Sequence, residues 1–142
     1  MLGDGQDQGE REERLGTGGD VRLVVPAAPE YLRLVRLTAA GLASRLGFTF
    51  DEVEDLRIAV DELCFHLLGG VDDDPSDEAR TMDLTYSAGA DSITITGRTG
   101  PTGVPAEPSE LSEQILDALV DEHEVSSDDG LITFRLKKQR ES

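Results

Sequence analysis

An α/β two-layer sandwich, with a mixed four-stranded sheet carrying about three helices on one face, is the architecture this sequence predicts. Three observations lead there. Apolar residues recur at spacings of three and four along three segments, the pattern of amphipathic helices. Four shorter segments are short strands, two of them clearly alternating apolar and polar residues as half-buried strands do. Those two flank the turn Gly89-Ala90-Asp91, so the centre of the sheet is a hairpin and a wholly parallel, doubly wound sheet is excluded. The predicted order is strand, helix, helix, strand, strand, helix, strand, with the helices segregated to one layer.

Residues Met1 to Gly19 are rich in Gly, Gln, Glu and Arg and hold only Leu2 and Leu15 as apolar residues after Met1. Such a segment cannot bury enough surface to offset its ordering entropy, so residues 1–19 read as a disordered acidic tail and 20–138 as one domain. Asp20 to Pro26 is a short strand. Pro29 opens a helix to Leu46 that places Leu32, Val35, Ala39, Leu42, Ala43 and Leu46 on one face, with Arg33, Arg36 and Arg45 off it. Gly47 ends that helix. Thr49 and Glu52 then form a capping box for a central helix running to Gly69-Gly70, its face made by Val53, Leu56, Val60, Leu63 and Leu67. Five acids between Asp72 and Glu78, with a proline, mark a solvated loop. Thr81 to Ser87 and Ser92 to Gly97 are the hairpin strands. Thr96 to Pro108, punctuated by glycines and prolines, is a loop. Ser109 caps a third helix to about Asp121, buried by Ile115, Leu116, Leu119 and Val120, and Asp128-Asp129-Gly130 turns into a last strand, Leu131 to Lys137.

Composition narrows the function classes. The formal net charge of −17 over 142 residues repels nucleic acid and favours basic protein surfaces. Its distribution is uneven: Asp51 to Phe134 holds three basic side chains, Arg57, Arg80 and Arg98, against 22 acids. Val21 to Phe50 reverses this, with Arg22, Arg33, Arg36 and Arg45 against Glu30 alone. A basic element therefore sits on an acidic body. The single cysteine, Cys64, excludes an internal disulfide, and no stretch approaches the roughly 20 apolar residues of a membrane span. The expectation is a cytoplasmic protein without a signal peptide.

The segment DLRIAVDELC, Asp55 to Cys64, resembles the helix bearing the first nucleotide motif of the anti-sigma-factor serine kinases, small cytoplasmic members of the GHKL (histidine-kinase-like) ATPase superfamily. LVDEHEVSSDDGLITFRLKK, Leu119 to Lys138, is similar to that family's closing helix, turn and strand, and VVPAAPEYLRLVRLTAAGLASRLGF to its opening strand and first helix. The resemblance covers nearly everything after the tail and implies a GHKL, or Bergerat-like, fold. It also implies ATP and Mg²⁺ as cofactors, an alternative sigma factor and an anti-anti-sigma factor as partners, and a possible homodimer through the opening strand and first helix. No nucleic acid or membrane partner follows from it.

The family's nucleotide motifs are altered at three places. Its central helix reads Glu-x-x-x-Asn, the Glu acting as general base and the Asn oxygen binding Mg²⁺. The Glu is matched by Glu62, but the Asn position holds His66, whose imidazole is a poor ligand for a hard cation. The family's D-x-G-x-G turn, whose Asp receives the adenine amino group, falls on ITITGRTGPTG, and no Asp occurs between Ser92 and Leu116. Its glycine-rich lid, G-x-G-L, falls on Glu110-Leu111-Ser112-Glu113, which puts two carboxylates where backbone amides would cradle phosphates.

Each candidate residue has a plainer reading beside the functional one. Glu62 is a vestigial base or a solvated carboxylate alongside Asp55 and Asp61, and the lost ligands favour the second. His66 with Glu62 one turn back is too few ligands for a metal site, and His123 is the only other histidine. Cys64 reads as a core thiol with nothing basic nearby to activate it. The glycines from Gly97 to Gly103 lack the spacing of a phosphate loop. Arg33 and Arg36 are either a solvated helix face or a partner-binding surface, and the resemblance places Arg36 where the family meets its protein partners. The leading expectation is therefore an anti-sigma-like regulator that sequesters an alternative sigma factor, with ATP and Mg²⁺ binding lost and no catalytic residue retained. An active serine kinase acting on an anti-anti-sigma factor, and an interaction module of the same fold with an unrelated partner, are the alternatives.

Overall fold

The computed structural model describes residues 20–68, 80–99, 109–128 and 131–141, with side chains in the central helix described as far as residue 65. The expected tail over residues 1–19, the acidic loop from Asp72 to Glu78 and the stretch 100–108 lie outside the described residues. So do the side chains of His66 and Leu67.

The chain forms β1 (Asp20–Pro26), a single 3-10 turn at Pro29–Tyr31, α1 (Leu32–Arg45), α2 (Phe50–Leu68), β2 (Thr81–Ala88), β3 (Ser92–Thr99), α3 (Glu110–Leu119), β4 (Glu122–Asp128) and β5 (Leu131–Gln139). The strands make one sheet in the order β1-β2-β3-β5-β4, and every neighbouring pair is antiparallel. The two-layer α/β arrangement is the expected one, but among the described residues the sheet has five strands and no parallel pair. Both corrections come from β4. Glu122–Asp128 carries one apolar residue, Val125, and is exposed at alternate positions as an edge strand, so it gives almost no alternation signal. Without β4, the chain would return from α3 directly into β5 beside β3, which makes a parallel crossover. With it, β4 runs up and β5 comes back down between β4 and β3. At the other end, two helices rather than one separate β1 from β2, and this αα-hairpin makes their pairing antiparallel as well. β3 also continues past the expected end at Gly97, so Arg98 and Thr99 are strand where only a loop was expected; Thr99 is 2% exposed and its hydroxyl donates to the Thr81 carbonyl at 3.1 Å.

The core lies between the sheet and the three helices. Val35, Ala39 and Ala43 of α1 and Leu56, Ala59, Val60 and Leu63 of α2 are buried against Met82, Leu84 and Tyr86, Ile93 and Ile95, and Ile132, Phe134 and Leu136. Leu32, Leu42, Leu46 and Val53 pack around the edge of this cluster. The Tyr86 hydroxyl donates to the Val35 carbonyl at 3.0 Å, which satisfies a buried phenol and ties α1 to β2. Burial pushes this phenol up from its ordinary pKa. The opposite sheet face is polar and matched across strands: Thr85 faces Thr96, Asp83 faces Arg98, Lys137 faces Glu122, and Arg22 donates to Asp83 at 2.9 Å.

The α1–α2 corner is held by hydrogen bonds. Gly47 takes the left-handed region at φ 86°, and the Arg140 guanidinium approaches it, donating to the Leu46 carbonyl at 3.1 Å. The capping box is formed: the Glu52 amide donates to the Thr49 hydroxyl at 3.2 Å, and the Thr49 amide donates to Glu52 Oε1 at 2.8 Å. The other carboxylate oxygen of Glu52 accepts the Glu141 amide at 2.8 Å, so one side chain ties the start of α2 to the end of β5. These backbone donors hold the Glu52 carboxyl below its usual range. A carboxylate with a depressed folded-state pKa stabilises above its unfolded pKa, about 4.3, and loses that contribution as pH falls through the folded value. Glu52→Gln is therefore expected to cost about 1–2 kcal/mol at pH 7, with the difference from wild type shrinking below about pH 4. Urea unfolding of both proteins across this pH range measures it.

Candidate functional site

The sheet and the buried stripe of α2 leave that helix with two flanks, one toward α1 and one toward α3. Asp61 and Glu62 are adjacent in sequence, so about 100° separates them around the axis. Asp61 points toward α1, where the Arg36 guanidinium donates to it at 2.9 Å, with Arg36 33% and Asp61 40% exposed. Arg33 is exposed on α1. Glu62 points the other way, toward α3. Arg33 and Arg36 are therefore not brought together with Glu62, and they belong to a separate surface.

Glu62 is half-buried and engaged. The Ser112 hydroxyl, in the first turn of α3, donates to Glu62 Oε1. Ser112 is itself buried, at 7% exposure. Its amide donates to Ser109 Oγ at 3.0 Å, the N-cap bond expected from sequence, while the Ser109 hydroxyl donates to Ser112 Oγ at 3.1 Å. The result is a chain of hydrogen bonds running from the α3 cap to the carboxylate on α2, each polarising the next. The solvated carboxylate expected at Glu62 is thus corrected to a paired one. Ser112 was legible as a residue of the first turn below a serine cap, but nothing in sequence indicated its partner 50 residues away.

Two turns along the same flank stands Asp55. Lys138, on the inward face of β5, is 8% exposed, and its ammonium lies 3.9 Å from Asp55 Oδ2. It donates to the Leu119 carbonyl at 2.7 Å and so caps the C-terminal end of α3, where a cation also meets the favourable end of the helix dipole. Lys138 was missed as a structural element of this flank. The signal was present: it continues the alternation Ile132, Phe134, Leu136, which makes it the one inward charge of β5. Cys64 is buried in the core, where burial pushes its thiol up, as expected for an unreactive cysteine. His123 meets Asp117 Oδ1 at 2.6 Å, away from Glu62, beside an open depression of about 350 Å³ lined also by Asp121, Glu122, Glu124 and Arg135. Among the described residues no group of three or more His, Cys, Asp or Glu could hold a metal ion, and no described helix is long and apolar enough to cross a membrane.

The fold and the order of these elements are shared with known proteins. No protein-family model matches the chain. It is 57% identical over 44 residues to the serine-protein kinase RsbW of Bacillus subtilis, a match covering 31% of this chain and 28% of that protein. It is 40% identical over 75 residues to the RsbW of Halalkalibacterium halodurans, covering 53% of this chain and 44% of that protein. Against the RsbW of Bacillus cereus strain G9842 the identity is 25% over 133 residues, covering 82% of this chain and 83% of the relative. The chain is a homologue of the RsbW serine-protein kinases. The two stronger local matches span less than half the length of those RsbW proteins. In structure, the RsbU and RsbW domains of Rv1364c from Mycobacterium tuberculosis superpose with a TM-score of 0.67 at 15% identity, covering 86% of this chain and 32% of that one. That likeness shows the fold, and with it the expected GHKL-type architecture.

If Lys138 holds α3 as described, inward and outward lysines of the same strand should differ sharply. Lys138→Met is expected to lower stability by about 2 kcal/mol through the lost charged hydrogen bond, whereas Lys137→Met on the open face should cost under about 0.5 kcal/mol. Chemical denaturation of the two variants makes the comparison.

Proposed function

We propose that this RsbW homologue acts as an anti-sigma factor by binding: it sequesters an alternative sigma factor, is released by an anti-anti-sigma partner, and no longer uses a nucleotide. The observation that carries the reading is the engagement of Glu62 by Ser112. The residues present do not fit Mg²⁺ and ATP. The carboxylate in the general-base position is taken by a side chain of its own chain, an imidazole side chain replaces the amide oxygen suited to Mg²⁺, and Glu110 and Glu113 stand in the first turn of α3 where phosphates would be received.

The partner surface we assign is the outer side of α1. It exposes Arg33 together with Leu34 at 46% and Leu37 at 55%, a pairing of guanidinium and apolar area typical of protein-binding patches. Arg36 joins it once a partner carboxylate displaces Asp61; a pair this exposed contributes at most about 1 kcal/mol, so the exchange is inexpensive. β1 is an edge of the sheet, which leaves a second copy of the chain free to associate along it and α1. The second reading, an active serine kinase acting on an anti-anti-sigma factor, draws on the likeness to serine-protein kinases and on Glu62.

The test is a surface-binding titration of the host's alternative sigma factor, with and without millimolar Mg·ATP, alongside transfer of labelled γ-phosphate to the anti-anti-sigma factor. The expected result is nucleotide-independent binding and no phosphate transfer. Arg36→Glu should weaken binding at least tenfold with folding intact, and raised salt should slow association as exposed charges are screened over about 8–10 Å. Binding that requires Mg·ATP, or transfer abolished by Glu62→Ala, would establish the kinase instead.

A further inference from the structure

We infer that α3 is a self-latched element, fastened along one flank of α2 by Glu62–Ser112 at its start and by Lys138 beside Asp55 at its end, and that it stays closed without any ligand. The inference rests on the reading that nucleotide use has been lost, and it says what replaced the nucleotide.

α3 has ten residues, too few for a helix to persist on its own in water. Its apolar anchorage is narrow. Leu116 is fully buried, Ile115 and Leu119 are only partly so, and Leu111 stands 66% exposed. What holds its two ends is polar and charged. Ser112, with its amide and hydroxyl tied to the Ser109 cap, donates a hydrogen bond to Glu62. At the other end the buried Lys138 ammonium takes the Leu119 carbonyl at 2.7 Å and lies 3.9 Å from Asp55. Glu62 and Asp55 are two helical turns apart on the same flank, so α3 lies antiparallel along α2, clasped at both ends of those two turns. Hydrogen bonds with one charged partner are the stronger kind, and here both clasps have one. Opening α3 would break both clasps at once, which makes the closed form the resting state.

Hydrogen exchange on the full chain, followed by mass spectrometry, tests the latch. Ser112→Ala and Glu62→Ala are each expected to speed exchange of the α3 amides by about tenfold or more, while β2 and β3 amides stay as in wild type. Glu62→Gln, which still offers an oxygen to Ser112, should keep most of the protection. Unchanged α3 exchange in both alanine variants overturns the latch; so does an equal rise in β2 and β3, which would make the bond a general support of the fold. A parallel arm adds millimolar Mg·ATP to wild type. Added protection of α3 there contradicts ligand-free closure and the loss of nucleotide use together. Loss of sigma-factor binding by wild type, with the latch result as expected, counts against the proposed function alone.

Discussion

The burial of one stripe of α2 is the constraint on which the rest of the molecule depends. Leu56, Ala59, Val60 and Leu63 are fully enclosed between the sheet and the neighbouring helices. Burying these side chains contributes roughly 1.5–3 kcal/mol for each large one, far more than any single polar contact on the surface. Once that stripe is fixed, helical geometry sends Asp61 to the α1 side and Glu62 to the α3 side. The Arg33 and Arg36 surface on α1, proposed to meet a partner, and the Glu62 flank of α2 thus lie on opposite sides of this stripe.

This separation gives a physical account of how the fold would survive the proposed loss of nucleotide chemistry. A helix as short as α3 needs something to hold it down, and a bound polyphosphate is one means of doing so. Internal hydrogen bonds are another. The Ser109–Ser112–Glu62 chain and the Lys138 cap supply partners for a carboxylate and an ammonium that would otherwise be stranded in a low-dielectric setting. The carboxylates Glu110 and Glu113 fit the same account, since acids in the first turn stabilise a helix through its dipole while repelling phosphate.

Sequence reveals those parts of this molecule that are local. The Thr49–Glu52 capping box, the Ser109 cap, the Gly47 stop, the β1 bounds and the β2–β3 hairpin each depend on residues within a few positions of one another, and each is present where the pattern put it. β4 escaped because an edge strand with a single inward apolar residue has no alternation to read. Its one legible sign was charge, with Glu122 and Glu124 lying opposite Lys137 and Arg135 across the following turn. That omission alone turned an antiparallel sheet into an apparently mixed one. At the site, Glu62 was legible as a position and not as an environment. Its partner Ser112 comes from across the fold, and no pairwise pattern in one sequence carries such a contact. Arg36 illustrates the same limit: its place off the core face follows from helical spacing, but its ion pair with Asp61 does not.

The central claim, that the chain has closed its own nucleotide site and kept the rest of the fold, is tested most directly by following backbone amide resonances of labelled protein during titration with millimolar Mg·ATP. The account predicts no saturable, localised shifts among the amides around Glu62, Gly97 and Ser112. Saturable shifts clustered on the α2–α3 flank, with a micromolar dissociation constant, would contradict it.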